Sequence, residues 1–231
     1  LEQVVCGDFN GDGYADVVVK RCHSGKWHNC DLYTTSLDSN GKVSLGFSKC
    51  FLSLSTNYTI QAVELNGDGA TDLFAWLENS KECKLIRSEQ SGNTLTPLGY
   101  TATRYCSEKW DRVEFGDFNS DGLTDVMNLN DNGHYIMYSD GAGTMTKETK
   151  LSWPDKNHYI EFGDFNGDGK TDMLLTGWSK NPNKGGWSEW CINYSKGDGT
   201  FTREYYSTPF DARTKQLFIA DLNGDGFDDF Q

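Results

Sequence analysis

Residues 163–175 read GDFNGDGKTDMLL, and this stretch decides how the chain folds. Side chains with oxygen atoms stand at positions one, three, five and nine of a nine-residue loop: Asp164, Asn166, Asp168 and Asp172. Calcium takes about six to eight oxygen ligands, and a loop with this alternation can wrap around the ion. The glycines between them permit the positive backbone angles of a tight turn. The apolar run at 173–175 then predicts a buried strand.

The same pattern occurs five times along the chain. We name the copies by their residues: loop one is 8–16, loop two 64–72, loop three 117–125, loop four 164–172 and loop five 221–229. Consecutive loops start 47 to 57 residues apart. A period of this size is typical of an array of supersecondary units. We therefore read residues 1–231 as one array with repeats near 4–60, 61–112, 113–158 and 159–216 and a partial repeat at 217–231.

Each loop offers three carboxylates, one Asn and one backbone carbonyl as candidate calcium ligands. The side-chain candidates are Asp8, Asn10, Asp12 and Asp16; Glu64, Asn66, Asp68 and Asp72; Asp117, Asn119, Asp121 and Asp125; Asp164, Asn166, Asp168 and Asp172; and Asp221, Asn223, Asp225 and Asp229. Position seven holds Tyr14, Ala70, Leu123, Lys170 and Phe227. These residue types share no side-chain chemistry, which fits a contact through the backbone.

Five loops with one carboxylate spacing favour about five structural Ca²⁺ ions over simple metal-free Asp/Asn/Gly turns. An EF-hand is excluded, because position twelve lacks the bidentate Glu and the flanks are β-like. Mg²⁺ fits less well, since it prefers tight octahedral geometry with several waters. In loop two, Glu64 replaces the first Asp, so we expect the second site to be the weakest or the most distorted.

The segments between the loops predict strands and no helices. Each repeat reads as a strand, the acidic loop, two more strands, a second Gly-rich turn and a fourth strand; in the first two repeats that turn is 38–42 and 91–93. Four antiparallel strands per repeat predict an all-β fold, a β-propeller or propeller segment of about five blades. A β-solenoid is the competing array, but its repeats are shorter.

Composition limits the classes of function. The net charge is −13, and the candidate ligand positions of the loops hold 15 of the 34 acidic residues, so a nucleic-acid partner is not expected. No apolar run is long enough for a membrane span, and the chain starts at Leu1 without a signal-peptide pattern, as a mature fragment would. Seven cysteines allow disulfides, with Cys22 and Cys30 as a possible staple across a hairpin. Asn57 and Asn193 begin sequons for glycosylation.

The loops and the apolar triplets after them resemble the FG-GAP/VCBS repeats of integrin-α-like β-propellers. The turns DGAGT (140–144) and GDGTF (197–201) also resemble the second turn of such repeats. The resemblance extends over nearly the whole chain. It implies a propeller in which each loop joins the first two strands of a blade and binds Ca²⁺ through side chains and one backbone carbonyl. It implies little about the partner.

No catalytic motif is present in the sequence: there is no HExxH, GxSxG or phosphate-binding glycine loop. The leading hypothesis is a non-enzymatic, secreted or cell-surface module that binds a protein or glycan ligand in adhesion, recognition or scaffolding. A first alternative is a lectin in which Trp187 and Trp190 stack on a sugar ring; packing inside the fold is the other interpretation of these residues. A second alternative is an accessory or shell propeller of a larger secreted enzyme or toxin complex.

Overall fold

The structure is a computed structural model that describes residues 3–23, 27–55, 58–91, 94–97, 102–106, 108–130, 132–142, 144–151, 159–176, 190–206 and 217–231. These residues form antiparallel strands and turns and contain no helix. Accordingly, they include no helix long and apolar enough to cross a membrane. The all-β prediction is confirmed.

The chain divides into two compact units. The first unit contains residues 1–112 and 139–146, and the second contains residues 113–138 and 147–231. Each is described separately below.

The first unit contains two four-stranded sheets and a two-stranded ribbon. The first sheet has the order β1 (Gln3–Gly7), β2 (Asp16–His23), β3 (Trp27–Leu37) and β4 (Val43–Ser55). The second sheet is built from β5 (Tyr58–Val63), β6 (Asp72–Leu77), β7 (Glu82–Ile86) and β10 (Ala102–Tyr105), in the order β10-β7-β6-β5. The ribbon pairs β8 (Ser88–Ser91) with β9 (Thr94–Pro97).

The second unit contains most of the third sheet and all of the remaining strands. The third sheet has the order β11 (Arg112–Gly116), β12 (Asp125–Asn130), β13 (Gly133–Ser139) and β14 (Met145–Leu151). The fourth sheet has the order β15 (Tyr159–Gly163), β16 (Asp172–Thr176), β17 (Trp190–Ser195) and β18 (Phe201–Tyr206). A fifth sheet has two short strands, β19 (Ile219–Ala220) and β20 (Asp229–Phe230).

Apolar side chains from neighbouring sheets form the cores of both units. In the first unit, Val18 and Leu32 of the first sheet pack with Leu73 and Ala75 of the second. In the second and fourth sheets the second strand carries a continuous apolar run, at 73–77 and 173–175, which is typical of a strand buried on both faces. Packing between sheets is therefore the main use of the apolar triplets that follow the loops.

The core of the second unit is built in the same way. Met127 and Ile136 of the third sheet pack with Met173 and Leu175 of the fourth sheet. A separate cluster joins Leu174 and other residues of the fourth sheet to the fifth. Each loop therefore begins and ends at strands that are fixed by buried side chains.

The second repeat differs from the predicted order of strands. We expected the segment after 91–93 to be the fourth strand of the second sheet, but β9 pairs with β8 in a separate ribbon. The fourth strand of the second sheet is β10, which pairs with β7 from Ala102 opposite Leu85 to Tyr105 opposite Glu82.

Two further expectations from the sequence are not supported. The register of β2 and β3 places Cys22 opposite His28 and Cys30 opposite Lys20. The backbones at diagonal positions of this kind lie about 7–8 Å apart, beyond the usual Cα separation of about 4.4–6.8 Å in a disulfide. The predicted glycan acceptor Asn193 is fully buried and accepts a hydrogen bond from Arg203 (Nε–Oδ1, 2.8 Å), so its amide is closed to modification. Asn57 lies outside the described residues.

Candidate functional site

The five acidic loops occupy the same place in every sheet. Each one joins the first strand to the second: loop one joins β1 to β2, loop two β5 to β6, loop three β11 to β12, loop four β15 to β16 and loop five β19 to β20. Antiparallel pairing of these strands brings the two ends of each loop together. In the first sheet, for example, Gly7 pairs with Asp16.

Positions four and six of every loop have a left-handed backbone. Position six is always glycine, with φ from 79° to 89°. Position four is glycine in four loops, with φ from 67° to 78°, but loop three has Ser120 there at φ 62°. A residue other than glycine costs about 1–2 kcal/mol in this conformation. The glycine spacing in the sequence is therefore explained by the turn itself, with one tolerated exception.

Side chains at positions one, three and five hold the turn through backbone N–H groups. In loop four, Asp164 accepts hydrogen bonds from the N–H groups of Asp168 (3.1 Å) and Gly169 (2.8 Å). Asn166 Oδ1 also accepts from Asp168 N (3.0 Å), and Asp168 Oδ1 accepts from Lys170 N (2.9 Å). Loops one, three and five repeat this set of bonds.

Loop two differs at the residue that the sequence singled out. Oε1 of Glu64 accepts from the N–H groups of Asn66 (3.1 Å) and Gly67 (2.7 Å), which are positions three and four. In the other loops the first carboxylate accepts from positions five and six, and in addition from position three in loop three and from position four in loop five. The extra methylene of Glu64 therefore moves its hydrogen bonds toward the start of the loop. Whether this lowers calcium affinity stays a prediction.

In loops one to four the ninth position is a buried carboxylate that accepts backbone N–H groups, whereas Asp229 of loop five is partly exposed. Asp16, Asp72, Asp125 and Asp172 are all 0% exposed. Asp72 accepts one N–H from Leu65 at position two (3.0 Å) and another from Ser88 (2.7 Å). Asp172 likewise accepts from Phe165 (3.2 Å) and from Ser195 on the third strand (2.8 Å).

The burial of these carboxylates is reflected in their proton affinity. Loss of water raises the pKa of Asp72 and of Asp172 to about 7, and the other two acidic side chains of each loop add to the rise. Burial also raises the pKa of Asp16. Three negative charges in a short loop repel one another. The ionised form of the buried carboxylate at position nine is destabilised most, because little water screens it. A bound cation would relieve this repulsion.

In loop one, one buried carboxylate oxygen of Asp16 accepts no hydrogen bond from the described residues. Thr35 donates its N–H to Asp16 Oδ1 (2.8 Å), whereas the N–H of Phe9 donates to Gly7 O (3.1 Å) while lying close enough to Asp16 to lower the pKa of that carboxyl. Oδ2 of Asp16 therefore has no hydrogen-bond partner among the described residues. A buried, unsatisfied carboxylate oxygen costs free energy, and a missing ion is one explanation for it.

The donor set of each loop suits a hard cation, although the acids are not drawn together. No group of three or more His, Cys, Asp or Glu side chains within the described ranges is arranged to hold a metal ion. Each carboxylate oxygen that accepts one N–H keeps a second lone pair. The chemistry of the loops fits calcium, and an ion would have to draw the acids inward. Lys170 is a local competitor, because its Nζ lies 3.0 Å from Asp168 Oδ2.

Hydrogen bonds between neighbouring loops were missed at the level of sequence. The N–H at position eight of one loop donates to the carbonyl at position one of the loop before it: Thr71 to Asp8 (2.6 Å), Thr171 to Asp117 (2.6 Å) and Asp228 to Asp164 (2.8 Å). Both groups belong to the backbone. The signal in the sequence is the glycine before loops one, three and four. A Cβ added at Gly7, Gly116 or Gly163 would lie 2.4–2.8 Å from the side chain at position eight of the following linked loop.

The two tryptophans proposed as a sugar platform have different outcomes. Trp187 lies outside the described residues. Trp190 is 6% exposed, stacks on Tyr206 (ring centroids 4.5 Å apart) and meets the edge of Phe230 (5.3 Å). Both partners lie in the cluster that joins the fourth and fifth sheets. Trp190 thus offers no free ring face, and packing explains it.

Comparison with known families identifies the repeats. The profile of the FG-GAP-like repeat matches residues 64–128 and again residues 117–175. Each match contains two of the acidic loops and the sheet between them. The chain contains FG-GAP-like repeats. This confirms the resemblance that was drawn from the loops alone. A search of curated protein sequences gives no significant match.

A solved structure shares the fold of these FG-GAP-like repeats. It is a lectin of Agrocybe aegerita, described for specific recognition of non-reducing terminal N-acetylglucosamine. The two structures superpose with a TM-score of 0.67 at 17% sequence identity, over 99% of this chain and 60% of the lectin chain. The chain therefore spans about three fifths of the length of that relative. At this identity the likeness concerns the fold.

Proposed function

We propose that the chain is a recognition module without catalytic activity, built as a segment of a β-propeller and stabilised by calcium in its acidic loops. The observation that carries the calcium proposal is the loop itself, in which three carboxylates and one Asn recur five times at the same spacing in a tight turn. The FG-GAP-like repeats and the fold shared with a lectin support a recognition role.

The predicted role of the metal is structural. Each loop supplies three carboxylates, an Asn side chain and a backbone carbonyl, and this set leaves little room for an open coordination position. Lewis-acid catalysis needs such a position. The residues instead hold the turn, because positions one, three and five already order its N–H groups. An ion in the loop would offset the repulsion felt by the buried acid at position nine.

Native mass spectrometry and thermal unfolding test the calcium proposal directly. We expect up to five bound ions and a higher melting temperature in excess Ca²⁺ than in EGTA. Any site saturated 100-fold above its dissociation constant adds about 2.7 kcal/mol of stability. Mg²⁺ at the same concentration is the control and should give a smaller rise. An unchanged melting temperature and no bound ion would contradict the calcium proposal and leave the loops as turns held by hydrogen bonds alone.

A glycan is the ligand class that the comparison favours, and a protein ligand is the alternative. We propose that the chain acts outside the cell, in a secreted or surface-attached protein, where calcium is abundant. A glycan array that includes non-reducing terminal N-acetylglucosamine, run with Ca²⁺ and with EGTA, measures this. Binding lost in EGTA supports a calcium-dependent lectin. A protein that folds and loads calcium but binds no glycan would favour the role of scaffold or accessory segment.

A further inference from the structure

In each linked pair of loops, one peptide group belongs to the second loop and donates its N–H to the first. In loop four, the peptide between Lys170 and Thr171 carries the carbonyl of position seven and the N–H of position eight. The N–H donates to the carbonyl of Asp117, the first residue of loop three, at 2.6 Å. The carbonyl on the same peptide is the predicted backbone ligand of loop four. The peptides 70–71 and 227–228 are placed in the same way, toward Asp8 and Asp164.

Close packing keeps this peptide against the neighbouring loop. A Cβ built on Gly116 would lie 2.6 Å from the side chain of Thr171, and one on Gly7 would lie 2.4 Å from Thr71. Gly163 is approached at 2.8 Å by Asp228, whose Oδ2 also accepts the N–H of Asp164 at 2.8 Å. The glycine before the loop thus permits the approach on which the hydrogen bond depends.

We propose that calcium sites in adjacent loops are coupled through this shared peptide. The inference rests on the proposed calcium binding. When the carbonyl at position seven is coordinated, the peptide is polarised and its N–H becomes a better donor, because hydrogen-bonded groups in series strengthen one another. The stronger bond fixes the backbone of position one in the preceding loop, whose side chain is a ligand of that loop. Filling one site therefore favours filling the one before it, and by linkage the reverse holds equally.

The expected size of the coupling follows from the bond that carries it. A hydrogen bond between protein groups contributes about 1 kcal/mol net, which equals about a fivefold change in an equilibrium constant. Because the bond is already present and calcium only strengthens it, this factor is the upper limit: we expect loop three to bind calcium up to about five times more weakly when loop four cannot bind. The same factor should appear at loop four when loop three is disabled.

Amide signals of the position-six glycines report each loop separately. In a calcium titration of the full chain followed by ¹H–¹⁵N NMR, Gly122 reports loop three and Gly169 reports loop four. Asp168→Asn removes a predicted ligand of loop four without changing the shared peptide. It should raise the calcium midpoint at Gly122 by up to about fivefold, and Asp121→Asn should raise the midpoint at Gly169 by the same factor. Asp12→Asn in loop one is the matched control and should leave the midpoint at Gly122 unchanged.

Gly116→Ala separates the hydrogen bond from charge effects. The added methyl group displaces Thr171, so the effect of Asp168→Asn on Gly122 should disappear in this background; a Coulombic effect would persist. Gly46→Ala, in open space on β4, is the control for adding a methyl group to a strand. If Gly116→Ala prevents folding, hydrogen exchange of the Thr171 amide in the unchanged protein replaces it, and calcium should slow that exchange more than the exchange of Thr35.

The outcomes distinguish the coupling from the metal binding itself. A midpoint at Gly122 that stays the same in Asp168→Asn overturns the coupling and leaves calcium binding intact. A persistent shift in the Gly116→Ala background also overturns it. Glycine amides that do not respond to calcium in the unchanged protein overturn the proposed function instead.

Discussion

Replacing Ser195 by alanine should destabilise the second unit, because this residue joins two loops, one through its side chain and the other through its backbone. Its hydroxyl donates to the carbonyl of Phe118 in loop three at 2.6 Å, and its backbone N–H holds Asp172 of loop four. Ser195 is buried, and Phe118 is 0% exposed. Truncation therefore leaves a buried carbonyl without its donor, while the backbone bond to Asp172 can remain.

The magnitude follows from that stranded acceptor. A buried group without its hydrogen bond costs about 1–3 kcal/mol. The N–H of Gly197, which donates to the Ser195 hydroxyl at 3.2 Å, adds little, because Gly197 is only half-buried and water can replace the bond. For a domain of this size, a loss of about 2 kcal/mol lowers the melting temperature by about 4–8 °C. Thermal unfolding by circular dichroism, in saturating Ca²⁺, measures it.

Two variants keep the test specific. Ser195→Thr retains a hydroxyl, as Thr35 does at the equivalent position of the first repeat, where it donates to Ala15 O at 2.5 Å. It should lose less stability than Ser195→Ala. Ser36→Ala removes an exposed hydroxyl pair with Ser44 and should stay within about 0.5 kcal/mol. A melting temperature for Ser195→Ala within 1 °C of the control, on the order of the usual surface effect, would refute the reasoning.

Three further predictions concern the loops and the buried aromatic cluster. Glu64→Asp should give the first carboxylate of loop two the hydrogen-bonding pattern of the other loops. Calorimetry should then show tighter calcium binding at this loop, and weaker binding would show that the longer side chain is needed. Trp190→Ala should cost about 3–5 kcal/mol by emptying the stack on Tyr206, measured by urea unfolding, and an unchanged midpoint would contradict the buried role. In EGTA, stability should fall as pH rises. The folded pKa of Asp72 and of Asp172 is raised from 3.8 to about 7, so their favourable contribution is complete below about pH 4 and lost as pH passes 7. Saturating calcium should remove this fall between pH 6 and 8, and a melt in EGTA that is flat over that range would argue against the buried carboxylates as its source.

The sequence was sufficient to predict the repeat, the strand type and the position of every loop. Those features depend on patterns that occur within about 15 residues, such as the spacing of Asp, Asn and Gly and the apolar run after them. The glycines at positions four and six show why this works, since the turn requires their backbone angles directly. Ser120 is the one position where the pattern alone would have predicted glycine.

The remaining features depend on contacts that the sequence does not encode locally. The ribbon of β8 and β9 in the second repeat required knowing which segment pairs with β7. The role of Trp190 depended on the neighbouring sheet, since an aromatic residue at the start of a strand has the same pattern whether its ring is covered or free. The hydrogen bonds from position eight to position one of the preceding loop involve only backbone groups, so the side chains at these positions give no pattern from which to predict them.

Because the joints between successive loops are made by main-chain atoms, the identity of the joining residues is largely free. Position eight is Thr in loops two and four but Asp in loop five, and the same N–H bond forms in each case. At this main-chain joint the only requirement on the sequence is a small residue before the accepting loop, whereas the specific contacts between adjacent repeats are the apolar side chains packed between their sheets. In a repeat grafted from another chain, the main-chain joint would form with either residue at position eight, and redesign would concentrate on the apolar side chains packed between the sheets.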